Sequence, residues 1–87
     1  MKAEKTWIEN RISSTHTLTL DFGGATLFYR LRHDDFWRLY GPGFQYGTLL
    51  LALDVDAAKT EAERFVAGYL KSTIAAYSAM VDTLEGG

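Results

Sequence analysis

A Gly-Gly pair at positions 23–24 separates two runs of residues in which apolar and polar side chains alternate. Alternation with a period of two indicates strands that bury one face, and a two-residue hairpin turn favours glycine because its φ angles are positive. Such a turn also fixes which residues face each other, and it sets Leu18 opposite Tyr29. The sequence therefore predicts a hairpin of strands 15–22 and 25–33, with the Leu/Tyr face inward.

The residues after the hairpin predict one or two further strands. The stretch FWRLY at 36–40 is typical of a third strand, and TLLLAL at 48–53 is either a fourth strand or an extended approach to a helix. Between them lies GPGFQYG at 41–47, which contains three glycines and the single proline of the chain. This composition indicates an exposed loop.

The last third of the chain predicts one long helix over about 57–84. Its apolar residues recur every three or four positions, and Asp54 or Asp56 can cap its first turn. A helix of that length spans about 42 Å, whereas an eight-residue strand spans about 27 Å. We therefore expect the helix either to extend beyond the sheet or to bend near Gly68 or Ser72.

The first dozen residues allow two interpretations. Trp7, Ile8, Arg11 and Ile12 share one face of a helix, while Ile8 and Ile12 also share one side of a strand. Of the two, the helical face accounts for more residues. We favour a short helix or helical turn that covers the edge of the sheet.

Together these elements predict an α+β fold. A three- or four-stranded antiparallel sheet would bury its apolar face under the long C-terminal helix. With 87 residues, the chain is expected to form a single domain over 1–87 with one modest core.

Composition excludes several classes of function. There is no Cys, which excludes disulfides, zinc–thiolate sites and thiol nucleophiles. The net charge of −2 argues against a general nucleic-acid binder. No signal-peptide pattern is present, and the longest apolar run is far shorter than the roughly 20 residues of a spanning helix. We expect a soluble, cytoplasmic protein that does not associate with membranes.

Candidate catalytic or metal-binding residues are few. His16 and His33 fall on the same predicted sheet face, and Asp34 and Asp35 follow directly. Two histidines and a carboxylate can bind zinc, but no HxxxH or HExxH spacing is present, and Asp is common in turns for local reasons. We expect no catalytic residues, no metal and no cofactor.

Two features are typical of a partner-binding surface. The outer hairpin face combines Arg with Phe, and the glycine-rich segment at 41–47 carries two aromatic residues; both residue types are enriched at interfaces. The alternative interpretation of the outer face is an ordinary solvated sheet surface. The predicted partner-binding residues are Phe28, Arg30, Arg32, Arg38, Phe44 and Tyr46.

The far end of the predicted helix suggests self-association. Its apolar stripe continues beyond the length that the strands can cover, so a second copy of the chain would bury it. In the competing arrangement the helix bends and folds its last turns onto Trp7 and Ile8. The predicted self-association residues are Ile74, Tyr77, Met80, Val81 and Leu84.

The chain is predicted to have its strands first and then a helix that opens with DAAKTEAERF. In size and architecture it resembles small accessory proteins of phages and mobile elements, including some anti-CRISPR proteins. The resemblance is carried by no motif. The lack of a catalytic motif, the aromatic residues at 41–47 and the overhanging helix favour a non-catalytic protein-binding module that inhibits a larger host complex. The alternatives are a protein that binds RNA or single-stranded DNA through the Arg/aromatic sheet face, and a small enzyme that uses His16 and His33.

Overall fold

The computed structural model describes residues 2–86 and has an α+β fold, as the sequence predicts. Five strands form one antiparallel sheet in the order β1-β2-β3-β4-β5, so that each strand pairs with its neighbours in sequence. One long helix follows the last strand and packs on one face of the sheet. The elements are β1 (Glu4–Asn10), β2 (Thr15–Phe22), β3 (Ala25–His33), β4 (Trp37–Gly41), β5 (Phe44–Leu49) and α1 (Val55–Gly86).

The predicted hairpin is confirmed in both its bounds and its register. Leu18 faces Tyr29 and Leu20 faces Leu27 across β2 and β3. The turn glycines at 23–24 have φ angles of 56° and 91°, a region that residues with a Cβ rarely adopt. Leu18 and Tyr29 are buried, while Leu20 and Leu27 are partly buried at the margin of the core.

The N-terminal segment is a strand, so the prediction of a short helix there is wrong. β1 pairs with β2 and sets Trp7 opposite Leu18. The physical reason is that the free edge of β2 offers unpaired backbone groups, which a neighbouring strand satisfies along its whole length. In the turn before β2, the Asn10 side chain accepts hydrogen bonds from the backbone N–H of Ile12 at 3.1 Å and of Ser13 at 3.2 Å.

The segment predicted as a loop forms a second tight hairpin. β4 covers Trp37–Gly41, one residue beyond the predicted 36–40, and a turn at Pro42 and Gly43 leads directly into β5. Proline followed by a glycine with a φ of 87° is typical of a type II turn. The strand predicted at 48–53 therefore lies earlier, and the sheet has five strands instead of three or four.

The segment 50–53 does not continue β5, because a side chain of the helix accepts hydrogen bonds from two of its backbone N–H groups. The Leu50 N–H donates to the carbonyl oxygen of Trp37 at 2.9 Å. Beyond it, the N–H groups of Leu51 and Ala52 donate to the Glu61 carboxylate at 3.0 and 2.9 Å. This side chain fixes the extended segment against the first turns of α1.

The core lies between α1 and the face of the sheet that carries Leu18 and Tyr29. Small side chains at Ala58 and Ala62 are fully buried, and they let the helix approach the sheet closely. Aliphatic and aromatic side chains of the three central strands fill the layer beneath. The buried hydrophobic residues are Leu18, Tyr29, Leu31, Trp37, Leu39, Leu50, Ala58, Ala62 and Val66.

Asp54, one of the two predicted capping residues, caps α1. Its carboxylate accepts a hydrogen bond from the Ala57 N–H at 2.8 Å, and its carbonyl accepts one from the Ala58 N–H at 2.9 Å. The first satisfies one of the N–H groups that a helix start leaves unpaired. The helix accordingly begins at Val55, earlier than the predicted residue 57.

The helix extends beyond the sheet. It runs for 32 residues without interruption, which corresponds to about 48 Å, and the longest dimension of the molecule is 51 Å. There is no bend at Gly68 or Ser72 that returns the last turns to Trp7, so the folded-back arrangement is not adopted. Within residues 2–86, no helix combines the length and apolar character needed to cross a membrane.

Candidate partner-binding surfaces

The outer face of the sheet, opposite α1, brings together a set of cationic and aromatic side chains. Phe28, Arg30 and Arg32 alternate along β3, and Arg38 lies opposite Arg32 on β4. These are four of the six residues predicted from the sequence to bind a partner. Tyr40 joins them opposite Arg30. Its place was not predicted because it depends on the β3–β4 register, which no turn signal in the sequence fixes.

Charges on the outer face are only partly neutralised. The Arg38 Nε lies 3.5 Å from an Asp34 carboxylate oxygen. The Phe36 N–H above all, together with Arg38, holds the pKa of the Asp34 carboxyl below its usual value. Arg30 and Arg32 form no ion pair with any residue in the range 2–86. The face therefore presents at least two guanidinium groups that are available to an acidic partner.

A shallow depression of about 370 Å³ lies among Thr17, Phe28, Arg30 and Tyr40. The Arg30 guanidinium carbon is 5.9 Å from the centroid of the Tyr40 ring, so a cation–π contact orients the cation. Phe28 is 59% exposed, although it is a large aromatic side chain. The depression can accept an apolar side chain from a partner, with an acidic group beside it on the arginines.

The two predicted aromatic residues of β5 lie elsewhere. Phe44 is half-buried on the helix side of the sheet, where its ring centroid lies 5.6 Å from that of Tyr69 and 6.1 Å from that of Tyr29. The expectation that it projects from an exposed loop is wrong, because the Pro42 turn places it in a strand above the core. Tyr46 is 97% exposed.

His16 and His33 pack against the same aromatic ring. Their ring centroids lie 5.8 and 4.8 Å from that of Trp37, at one side of an open cleft of about 690 Å³ that Glu9 and Arg11 also line. Neither histidine side chain forms a hydrogen bond within residues 2–86. Over the same range, no three His, Cys, Asp or Glu side chains are placed to hold a metal ion.

The far end of α1, from Ile74 to Gly86, is exposed on all sides. Its apolar residues continue the helix face that packs on the sheet at Val66 and Leu70. The exposed fractions are 67% for Ile74, 63% for Tyr77, 58% for Met80, 47% for Val81 and 84% for Leu84. We call this set the terminal stripe.

Comparison with known proteins finds no matching family model, no similar curated protein and no similar solved structure. The outer face and the terminal stripe are therefore the candidate binding surfaces of this chain.

Proposed function

We propose that this chain is a non-catalytic protein-binding module that uses the outer face of its sheet to occupy an acidic site on a larger complex. The observation that carries the proposal is the row of Phe28, Arg30 and Arg32 on one uncovered sheet face, with an exposed aromatic ring beside cations that have no acidic partner in residues 2–86. Arg and aromatic residues are the types most often found at the centres of interfaces.

The geometry of the outer face also indicates what kind of partner would fit it. A partner needs a protruding apolar side chain for the depression at Phe28 and one or more carboxylates for Arg30 and Arg32. Bidentate contacts between Arg and carboxylate add orientation as well as affinity. A module of this size would act by covering a site on its partner and thereby inhibiting the larger complex.

A capture experiment with charge-reversed variants tests the proposal. The wild-type chain and an Arg30→Glu/Arg32→Glu variant are immobilised, and proteins retained from a native lysate are compared. The control is Arg11→Glu/Arg64→Glu, which reverses two exposed charges away from the outer face. We expect a protein that the wild type and the control retain and that the outer-face variant loses. Equal retention by all three chains would overturn the proposal.

A second candidate is binding of RNA or single-stranded DNA on the same face. The observation in its favour is the Arg30–Tyr40 pair next to the exposed Phe28, since bases stack on aromatic and guanidinium planes. Affinity for a single-stranded oligonucleotide should then fall steeply with salt, and loss of Arg30 or Arg32 should make the slope shallower. Weak binding that is unaffected by these substitutions would exclude this candidate.

A further inference from the structure

The terminal stripe lies on the side of α1 that faces the sheet, and not on the side that faces solvent along the rest of the helix. It continues, turn by turn, the face that Val66 and Leu70 press onto the sheet. The sheet ends, however, before Ile74, so about 20 Å of this face has nothing against it within residues 2–86. The space beneath the projecting helix is open and is bounded at one end by the sheet.

The position of the sheet permits only one orientation for a second copy of the helix. In a parallel pair joined through the terminal stripe, both sheets would lie at the same end and compete for the space between the two helices. In an antiparallel pair the sheets lie at opposite ends, and each projecting helix fills the space beneath the other. Closed two-fold pairs of this kind predominate among soluble oligomers.

Charge complementarity favours one register of the antiparallel pair, with Glu85 as the acidic partner of Lys71 because Glu85 lies nearer to the stripe than Asp82 does. Lys71 and Glu85 lie on the same flank of the stripe because they are separated by almost four complete helical turns. Both are equally far along the chain from Ser78. A pair centred at Ser78 therefore sets Lys71 of each copy beside Glu85 of the other. Neither side chain forms an ion pair within residues 2–86.

The same register fits the available length. With the pair centred at Ser78, Leu84 of one copy is level with Ser72 of the other, so that the two terminal stripes lie alongside each other. Each terminal stripe thus covers most of the exposed apolar length of the other. Tyr77 of one copy also comes within about one residue of the level of Met80 of the other, and contacts between sulphur and aromatic rings are favourable.

The area is sufficient for an interface of modest affinity. Each large apolar side chain that is fully buried removes about 60–120 Å² of apolar surface from water, so the stripes of two copies together remove roughly 600–1,200 Å². This range reaches the lower end of specific interfaces. The contact is therefore expected to be weak and concentration-dependent.

We propose that a second copy of this chain occupies the terminal stripe, as an antiparallel helix pair in which Lys71 of each copy meets Glu85 of the other. The outer face of the sheet takes no part in this contact. A test that disproves the helix pair would therefore leave the proposed function standing, and a test that disproves the proposed function would leave the helix pair standing.

Charge reversal combined with mixing tests the pair. Sedimentation from low to high micromolar concentration measures dimerisation, and circular dichroism checks that each variant retains its helix. We expect Lys71→Glu and Glu85→Lys, each alone, to weaken dimerisation about tenfold, since two-fold symmetry repeats every change at two sites. An equimolar mixture of these two variants should dimerise again, because every contact then joins opposite charges. The Lys71→Glu/Glu85→Lys double variant should likewise recover.

Three outcomes would overturn the proposal. The wild-type chain would be monomeric at high micromolar concentration, or the mixture would remain as weak as the single variants, or the double variant would fail to recover. Tyr77→Glu supplies an independent check, because it places a charge in the middle of the stripe. It should dissociate the dimer while the helix signal stays intact, and a Tyr77→Glu chain that dimerises normally would place the contact elsewhere.

Discussion

Tyr29 shows how a single side chain can support the core and still carry an unfavourable group. Its ring is almost fully buried and packs edge-on to Phe44. Its hydroxyl oxygen is also buried, and no group in residues 2–86 forms a hydrogen bond with it. Burial, together with the nearby Tyr69, raises the pKa of this hydroxyl above its ordinary value. The ring stabilises the fold, whereas the hydroxyl loses its hydration without gaining a hydrogen bond within residues 2–86.

Removal of that hydroxyl should therefore leave the protein as stable or make it more stable. Tyr29→Phe keeps the ring and removes the unpaired group, whose burial costs about 1–3 kcal/mol. We expect the free energy of unfolding in urea to rise by roughly 1 kcal/mol. Tyr29→Ala, the matched control, should lower it by about 3–5 kcal/mol because it leaves a cavity. A marked loss of stability in Tyr29→Phe would show that the hydroxyl has a partner after all.

At the scale of elements, the hairpin of β2 and β3 could be predicted and its neighbours could not. The Gly-Gly turn and two alternating runs all specify one register, so local and global preferences agree. β1 has no such support, because Ile8 and Ile12 fit one side of a strand, whereas Trp7, Ile8 and Ile12 together fit one face of a helix. Its strand conformation is decided by the open edge of β2, a property of the folded sheet. The Pro42-Gly43 dipeptide is itself a turn signal, but the glycines on either side of it indicated a longer loop.

The residues of the candidate surfaces also divide into those that the sequence could place and those that it could not. The sequence could place Phe28, Arg30 and Arg32 on the outer face because the Gly-Gly turn fixes the register of the hairpin. Phe44 could not, since its side of the sheet depends on where the second hairpin turns. The hydrogen bonds that Glu61 and Glu63 accept from distant segments had no sequence signal, because contacts between residues so far apart emerge only from the packing of α1 on the sheet.

Glu63 joins two elements that are far apart in the sequence. Its carboxylate accepts hydrogen bonds from the Trp7 indole N–H at 2.8 Å and from the Lys5 ammonium at 2.9 Å, which connects α1 to β1. Partial burial raises the pKa of this carboxyl, but the two hydrogen bonds and the Lys5 charge outweigh it and leave the pKa below its ordinary value of 4.5. The ionised carboxylate is therefore bound more favourably in the folded state than in the unfolded chain.

The sign of the resulting pH dependence follows from the lowered pKa. The stabilisation is fully present above pH 4.5 and is lost as the pH falls through the folded-state value. Glu63→Gln should lower the free energy of unfolding near neutral pH by about 1 kcal/mol, after allowance for partial exposure. The difference from wild type should shrink as the pH falls below 4.5. Glu4→Gln, an exposed change on β1, is the control, and a pH-independent effect of Glu63→Gln would refute the assignment.

The whole molecule divides into a packed body and a projecting helix. The body comprises the sheet and α1 as far as Thr73, the last partly buried residue of the helix. From Ile74 onward, every described side chain is exposed and none belongs to the core. In the antiparallel pair, the two bodies lie at opposite ends, so that two outer faces point away from each other. Each outer face of such a dimer would therefore bind a separate partner molecule, and the two partners would not contact each other.

Truncation after Thr73 should separate the stability of the body from that of the pair. Because the removed side chains make no core contacts, we expect the truncated chain to fold with a free energy of unfolding within about 0.5 kcal/mol of that of the 87-residue monomer at low concentration. The 87-residue chain should show a melting temperature that rises with protein concentration, since only the dimer is favoured by mass action. The truncated chain should melt at the same temperature at every concentration. If truncation instead unfolds the chain at all concentrations, the last turns of the helix support the body directly, and the division into body and projecting helix is wrong.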